Sequence, residues 1–174
     1  VRVYANDTFG NQNSAIRYFS VDSTGPTVAI QLPTNTTYAT TSIFLNYTAT
    51  SSNGIDKCWY SLNGGADQAL SSCANTSITA LEGANNVRVY ANDTFGNQNS
   101  AIRYFSVDSI GPTVAIQIPV NTTYSTTSIS LNYTAVDSSG ISTCWYSLNG
   151  GADQALSSCA NTSITALEGA NNVR

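Results

Sequence analysis

Apolar and polar residues alternate over short stretches of the chain, and this period of two residues predicts β-strands that bury one face. In the stretch TSIFLNYTA, Ile43, Leu45 and Tyr47 lie on one side and Phe44 lies on the other. Residues typical of turns separate these stretches, and Asn-Gly-Gly at residues 63–65 is a strong signal for a hairpin. The chain is therefore predicted to consist of short strands rather than helices.

The same pattern predicts seven strands between residues 22 and 107. In the first of them, Val28, Ile30 and Leu32 are expected to face inward. Short strands at intervals of about 8 to 12 residues are typical of an antiparallel β-sandwich. The predicted strands are 26–32, 41–49, 55–62, 66–73, 77–81, 87–92 and 101–107.

The sequence repeats itself after 86 residues. The stretch VRVYANDTFGNQNSAIRYFSVDS begins at Val1 and again at Val87, and a third copy begins at Val173. Residues 1–88 and 87–174 differ at only ten positions, which indicates a recent duplication and further copies. The predicted fold class is all-β, with tandem seven-stranded antiparallel immunoglobulin-like sandwiches on an 86-residue repeat.

Two motifs in each repeat allow a comparison with known families. The stretch LEGANNVRVYANDTFGNQNSA leads into a second motif, VDS-x-GP, which precedes the next predicted strand. Together they resemble the tandem immunoglobulin-like and fibronectin type III-like repeats of prokaryotic, especially archaeal, surface proteins. The resemblance implies a seven-stranded sandwich and a role in a stalk, filament or surface layer. Asn85 and Asn86 stand where fibronectin modules have a corner tyrosine, so the subfamily stays open.

The phase of the repeat predicts three parts: residues 1–21 are the last two strands of a preceding domain, 22–107 are a complete domain, and 108–174 are the first five strands of a following domain. An isolated two-stranded hairpin is marginal in water. A five-stranded remnant exposes apolar core and open strand edges. Each fragment is expected to be completed either within one long continuous chain or by strand exchange between chains.

The residue inventory excludes several classes of function. The chain has no His, so neither a Ser-His nor a Cys-His nucleophilic pair can form. Six Lys and Arg residues and a net charge of −4 do not suit nucleic acid. No apolar run approaches the roughly 20 residues of a membrane span. We expect no catalytic residue and no cofactor.

Calcium is the one metal that the carboxylates could bind. Asp22, Asp108 and Asp137 lie near the expected domain junctions, and carboxylates with turn carbonyls are the ligands that calcium prefers. No repeat offers a dense run of carboxylates, however. Capping of turns by these side chains is therefore the favoured interpretation, and no metal site is predicted.

Each repeat holds two cysteines that flank the Asn-Gly-Gly hairpin almost symmetrically, so the hairpin is expected to bring them face to face. Two Cys without His cannot complete a zinc site, which leaves free buried thiols as the alternative. A disulfide indicates an oxidising compartment, outside the cell or on its surface. Trp59 and Trp145 follow the first cysteine of each pair and so point to the opposite face of the strand. Their expected role is packing in the core, by analogy with the strand tryptophan of immunoglobulin domains. The predicted disulfides are Cys58–Cys73 and Cys144–Cys159.

The chain also carries eight Asn-x-Ser/Thr sequons, a modest excess over chance for a sequence so rich in Asn, Ser and Thr. Asn46 is predicted to face outward on its strand, and the others fall at turns or strand ends, where a glycosyltransferase can reach them. N-linked glycans are therefore expected. The sequons begin at Asn6, Asn35, Asn46, Asn75, Asn92, Asn121, Asn132 and Asn161.

These observations predict a structural repeat of an extracellular filament, stalk or surface-layer protein whose partners are other copies of the repeat, assembled head to tail. One alternative is an adhesin module that binds glycans or a partner protein through loops. The small loops around Gly64 and Gly65 are identical in both copies and argue against it. A second alternative is an accessory stalk of a secreted enzyme.

Overall fold

The structure, a computed structural model, describes residues 1–174 and contains fifteen strands and two short 3-10 turns. The chain divides into two compact units, Val1–Val107 and Asp108–Arg174. We call residues 1–21 the N-terminal hairpin, residues 22–107 the complete repeat and residues 108–174 the open unit. The strands of the first unit are β1 Arg2–Asn6, β2 Gln12–Ile16, β3 Thr27–Leu32, β4 Thr37–Tyr38, β5 Ser42–Thr50, β6 Ile55–Leu62, β7 Gln68–Leu70, β8 Thr76–Thr79, β9 Gly83–Asp93 and β10 Gln98–Val107.

The complete repeat is a two-layered β-sandwich. One sheet has the order β3-β5-β8, and the other has the order β4-β10-β9-β6-β7. All neighbouring strands run antiparallel except β4, which pairs with β10 in parallel. The all-β sandwich predicted from the alternation pattern is confirmed.

The core lies between the two sheets and is built from alternate residues of each strand. On β5 the side chains of Ile43, Leu45 and Tyr47 are buried, as predicted, and Phe44 between them is exposed. The same alternation on β9 buries its inward side chains completely. Burial of such side chains, at about 1.5 to 3 kcal/mol each, is the main force that holds the two sheets together.

Three local predictions about the complete repeat are wrong. Leu32 is exposed, because the register between β3 and β5 shifts after Ile30 and the shift turns the Leu32 side chain away from the core. The strand predicted over 66–73 covers only Gln68–Leu70. The chain then forms a 3-10 turn at Ser71–Cys73, where Ser72 and Cys73 have positive φ angles that a strand does not accommodate. The two-residue strand β4 makes eight strands rather than seven.

Asn85, in the place of the corner tyrosine, is a buried side chain whose amide is fully hydrogen-bonded. Its Oδ1 accepts from the backbone N–H of Leu81 at 3.1 Å and from Nδ2 of Asn63 at 2.8 Å. Its Nδ2 donates to the carbonyl oxygens of Leu81 at 2.7 Å and Gly83 at 2.9 Å. The amide thus ties the segment before β9 to the hairpin after β6, which is a role that the sequence pattern did not reveal.

We expect Asn85→Ala to lower the free energy of unfolding of the complete repeat by about 1 to 3 kcal/mol, because the Leu81 and Gly83 groups lose their partner in a buried site. Asn171→Ala is the matched control, since Asn171 makes the equivalent bonds but is exposed to water. Urea unfolding followed by Trp59 fluorescence in a Trp145→Phe background measures the difference. Equal effects of the two substitutions would contradict this account.

The open unit repeats the first part of the sandwich with a smaller buried core. Strands β11, β12 and β15 form a three-stranded sheet, and β13 and β14 form a separate pair. Ile129, Leu131 and Ile164 are the centre of its core. The strands are β11 Thr113–Ile118, β12 Ser128–Val136, β13 Cys144–Tyr146, β14 Gln154–Leu156 and β15 Thr162–Thr165.

In the N-terminal hairpin, β1 pairs with β2 in the same register as β9 pairs with β10. Val3 lies opposite Ala15, just as Val89 lies opposite Ala101. Every residue of β1 and β2 is exposed except Ser14, which is half-buried. The hairpin therefore presents an uncovered apolar face.

Candidate interaction surfaces and cross-links

Both predicted disulfides are present, Cys58–Cys73 and Cys144–Cys159, with Cα–Cα distances of 5.1 and 5.0 Å. The cysteines do not face each other across the hairpin, however. Cys58 on β6 lies opposite Leu70, and the 3-10 turn folds the chain back so that Cys73 reaches it. The near-symmetric spacing therefore predicted the correct cysteine pairs. The geometry that brings each pair together is different from the one expected.

The prediction that Trp59 packs in the core is wrong. Cys58 points into the core, so Trp59 points to the outer face of the five-stranded sheet, as the period of two requires. There its ring stacks on that of Tyr90 across β6 and β9, with centroids 5.4 Å apart and planes inclined by 6°. Trp145 of the open unit has no such partner and is exposed.

The carboxylates of the turns act as hydrogen-bond acceptors for their own loops. Asp93 accepts from the backbone N–H groups of Phe95 and Asn97 and from Nδ2 of Asn97. Asp22 accepts from the N–H of Thr24 and from Nδ2 of Asn53. Asp137 accepts in the same way from Ser139. This is turn capping as predicted, and no group of three or more His, Cys, Asp or Glu side chains that could hold a metal ion occurs.

Burial acts to raise the pKa of Asp93, but the hydrogen bonds from Asn97 and Phe95 outweigh it and hold the pKa below its ordinary value. A carboxyl whose pKa is depressed in the folded state stabilises the fold above its ordinary pKa of about 3.9 and loses that contribution as pH falls through the lower folded value.

We expect the unfolding free energy of the wild type to fall below about pH 4 more steeply than that of Asp93→Asn. Urea titrations between pH 7 and pH 2 test this, and parallel pH profiles would contradict it.

The eight sequon asparagines differ in accessibility. Asn6, Asn35, Asn75, Asn121 and Asn161 are exposed, whereas Asn46, Asn92 and Asn132 are half-buried. The Oδ1 of Asn46 accepts a hydrogen bond of 3.0 Å from Nδ2 of Asn75, so two sequons are in contact. In the complete repeat and the open unit, the loop positions are therefore more accessible than the strand positions.

One face of the open unit is a groove of about 180 Å³ lined by apolar side chains. In the complete repeat, the corresponding face of β3 and β5 is covered by β9 and β10. Val114 and Ile116 on β11 are exposed, although their counterparts Val28 and Ile30 are half-buried and buried. The groove is thus a candidate interaction surface, and its counterpart in the complete repeat is covered. Further lining residues are Leu131, Tyr133, Trp145 and Val173.

A three-stranded sheet packed on a five-stranded sheet places the complete repeat among sandwich modules of the immunoglobulin-like and fibronectin type III-like class. Fibronectin(III)-like modules of Clostridium thermocellum CbhA are similar to this chain, with 22% sequence identity, coverage of 84% of this chain and 83% of that chain, and a TM-score of 0.42. Similarity at this level does not support an argument about function. No protein-family model and no curated protein matches the sequence. None of the helical segments is long and apolar enough to span a membrane.

Proposed function

We propose that the chain is a structural repeat of an extracellular filament, stalk or surface-layer protein in which sandwiches follow one another head to tail. The observation that carries this proposal is that the chain enters and leaves the complete repeat at opposite ends of β10. The carbonyl of Asp22 accepts from Nδ2 of Asn97, next to the first residue of β10, and the chain leaves after Val107, the last residue of β10. Modules joined in this way extend a chain rather than fold it back.

The segment that joins successive modules is short and anchored. The carbonyl of Pro26 accepts from Nδ2 of Asn99 at 2.9 Å. Gly25 lies so close to β10 that a Cβ at this position would be 2.9 Å from the carbonyl oxygen of Gln98. The motif VDS-x-GP therefore holds the start of the complete repeat against its own last strand, and a short joining segment of this kind limits flexing between modules.

Chains with one, two and three additional 86-residue repeats test this proposal. The eleven residues of β9 span about 36 Å at 3.3 Å per residue, so we expect the maximum dimension from X-ray scattering to rise by about this length per repeat. A maximum dimension that levels off as repeats are added would contradict an extended array.

The two disulfides support an extracellular location, because disulfides persist in oxidising compartments. We extend the proposal to N-linked glycans, and expect the exposed loop residues Asn35 and Asn121 to carry the most. Asn92 should carry the least, because it is half-buried and its Nδ2, the atom that would carry the glycan, donates a hydrogen bond to Oδ2 of Asp56. Glycopeptide mass spectrometry of protein from its native host measures the occupancy. Eight bare asparagines would overturn this part of the proposal.

One observation favours the adhesin alternative. The outer face of the five-stranded sheet carries the stacked pair Trp59 and Tyr90 and the exposed Tyr104. Aromatic rings of this kind offer apolar contact to a sugar or a protein. Binding of a glycan array by the wild type but not by Trp59→Ala would favour this function over a purely structural one.

A further inference from the structure

We propose that Asn53-Gly54 is a site of spontaneous deamidation, and that the carboxylate formed there repels Asp22 and loosens the start of the complete repeat. The chain contains three Asn-Gly pairs, which begin at Asn53, Asn63 and Asn149. Ser139 takes the place of Asn53 in the second copy, so this pair occurs in the first copy alone. The deamidation rests on the geometry of the loop, and its effect on the joining of modules rests on the proposed array.

The reaction consumes only water. The backbone nitrogen of Gly54 loses its proton and attacks Cγ of Asn53, which forms a C–N bond and closes a succinimide ring. The bond between Cγ and Nδ2 breaks, and ammonia leaves with the proton. Water then opens the ring at either carbonyl and gives aspartate or isoaspartate. Gly54 has no side chain to obstruct the approach of its nitrogen, which is why an Asn-Gly pair is prone to this reaction.

The same pair at Asn63-Gly64 is held against the reaction. Oδ1 of Asn63 accepts from the backbone N–H of Asn86 at 2.7 Å, and Nδ2 donates to Oδ1 of Asn85 at 2.8 Å. The backbone N–H of Asn63 also donates to the carbonyl of Asn86 at 2.9 Å. Attack on Cγ requires the side chain to rotate and the turn to open, so all three hydrogen bonds oppose it.

The loop that contains Asn53 opposes this rotation less. Asn53 is exposed, and its amide is bound through Nδ2 alone, to Oδ2 of Asp22 and to Oγ of Ser52 at 3.3 Å. The N–H of Gly54 closes this turn by a bond of 3.3 Å to the carbonyl of Ser51, whereas the turn at Asn63 is closed by a bond of 2.9 Å. Because the longer bond is the weaker one, Asn53 reacts before Asn63 in the folded protein.

Deamidation turns an attraction to Asp22 into a repulsion. In the intact protein Nδ2 of Asn53 donates to the carboxylate of Asp22. The product has a carboxylate in place of this donor, and two carboxylates in contact repel each other. The Asp22 carboxylate also accepts from the backbone N–H of Thr24 at 3.1 Å. Its displacement therefore removes a bond that holds residues 22–24.

Isoaspartate changes the loop further, because it adds one carbon atom to the main chain. The carbonyl of residue 53 accepts from Oγ1 of Thr94 at 2.9 Å, and Thr94 lies in the turn between β9 and β10. The added carbon atom displaces this carbonyl. Formation of isoaspartate therefore also weakens the bond between the loop at residues 51–54 and the turn that Asp93 caps.

Other hydrogen bonds keep the module itself intact after the reaction. The carbonyl of Asp22 still accepts from Asn97, and the carbonyl of Pro26 still accepts from Asn99. The change is thus confined to residues 22–24 and the loop at 51–54. In the proposed array residues 22–24 belong to the joining segment, so a deamidated copy forms a more flexible joint. A copy with Ser139 keeps its joint, because serine has no amide to lose.

A time course on the wild-type chain tests the first step. The folded protein is incubated in mildly alkaline buffer, reduced and digested with trypsin, which places Asn53 in the peptide 18–57 and Asn63 in the peptide 58–88. Tandem mass spectrometry measures the conversion of each asparagine. We expect Asn53 to react at least tenfold faster than Asn63.

The same time course in concentrated urea with a reducing agent is the matched control, because both pairs are then free of the fold. We expect Asn53 and Asn63 to react there at similar rates. Equal rates in the folded chain, or a faster reaction at Asn63, would overturn the inference. A tenfold difference that persists in urea would contradict it as well, because the preference would then come from the local sequence.

Two substitutions test the effect on Asp22. Asn53→Asp introduces the product, and Asn53→Ser removes the same amide without adding a charge. We expect the NMR order parameter of the Thr24 N–H to fall from about 0.85 to below about 0.6 in Asn53→Asp and to fall less in Asn53→Ser. The deamidated wild-type chain, separated by anion exchange through its added negative charge, gives the same measurement without a substitution. Equal order parameters in the two variants would contradict the repulsion.

These measurements are separate from the test of the proposed function. Equal deamidation rates of Asn53 and Asn63, combined with a maximum dimension that rises with repeat number, overturn the inference alone. A maximum dimension that levels off contradicts the extended array, and a tenfold preference for Asn53 then still supports the deamidation site.

Discussion

Replacing Leu45 with alanine is expected to lower the free energy of unfolding of the complete repeat by about 2 to 5 kcal/mol. Leu45 is completely buried on the central strand of the three-stranded sheet, between Ile43 and Tyr47. Removal of its side chain takes away buried contacts and leaves a cavity, because the two sheets hold the surrounding side chains apart. Urea unfolding in the Trp145→Phe background measures the loss.

Phe44→Ser is the matched control on the same strand. Phe44 points to solvent, and the second copy carries Ser130 at this position in the same fold. We expect a change within about 0.5 kcal/mol, which is the usual range for surface substitutions. If Phe44→Ser destabilised the repeat as much as Leu45→Ala, the assignment of the two faces of β5 would be wrong.

Loss of the first disulfide is expected to cost about 3 kcal/mol, because the bond between Cys58 and Cys73 closes a loop of 15 residues and restricts the unfolded chain. The variant Cys58→Ala/Cys73→Ala in the Trp145→Phe background isolates this effect. Its midpoint in urea should fall below that of the parent, and addition of a reducing agent should change the parent but not the variant.

The equivalent substitution in the open unit, Cys144→Ala/Cys159→Ala, serves as the control for the first repeat. It should leave the transition reported by Trp59 unchanged, because the second disulfide lies wholly within residues 108–174. Intact mass before and after reduction verifies that the parent contains two bonds. Four free thiols in the native protein would contradict both the stability effect and the extracellular location.

Alternation of apolar residues was sufficient to predict the sandwich and most of its strands. The inward set on β5 follows from spacing alone, because a strand with one buried face repeats every two residues. The exposure of Leu32 could not be predicted from the alternation pattern. The register shift depends on how β3 pairs with β5, and the sequence of β3 alone does not indicate it. The 3-10 turn that carries Cys73 depends likewise on the tertiary position of Cys58.

The outer position of Trp59 could have been predicted from the sequence. Trp59 was expected to point to the face opposite Cys58, because neighbours on one strand face opposite ways. The analogy with the tryptophan of immunoglobulin domains outweighed that simpler rule. Asn85 shows the opposite case. Its amide takes part in four hydrogen bonds, three with the backbone of Leu81 and Gly83 and one with Nδ2 of Asn63, and no pattern of residue types reveals these partners.

The 3-10 turn and its disulfide also determine how the protein responds to mechanical force. When a repeat is pulled from Asp22 and Val107, the loop between Cys58 and Cys73 lies within the stretched chain but remains closed. The closed loop of 15 residues, at roughly 3.4 Å each, keeps about 50 Å of contour length from being extended. An oxidised repeat therefore extends less under tension than a reduced one, and the redox state of its surroundings sets how far the repeat stretches.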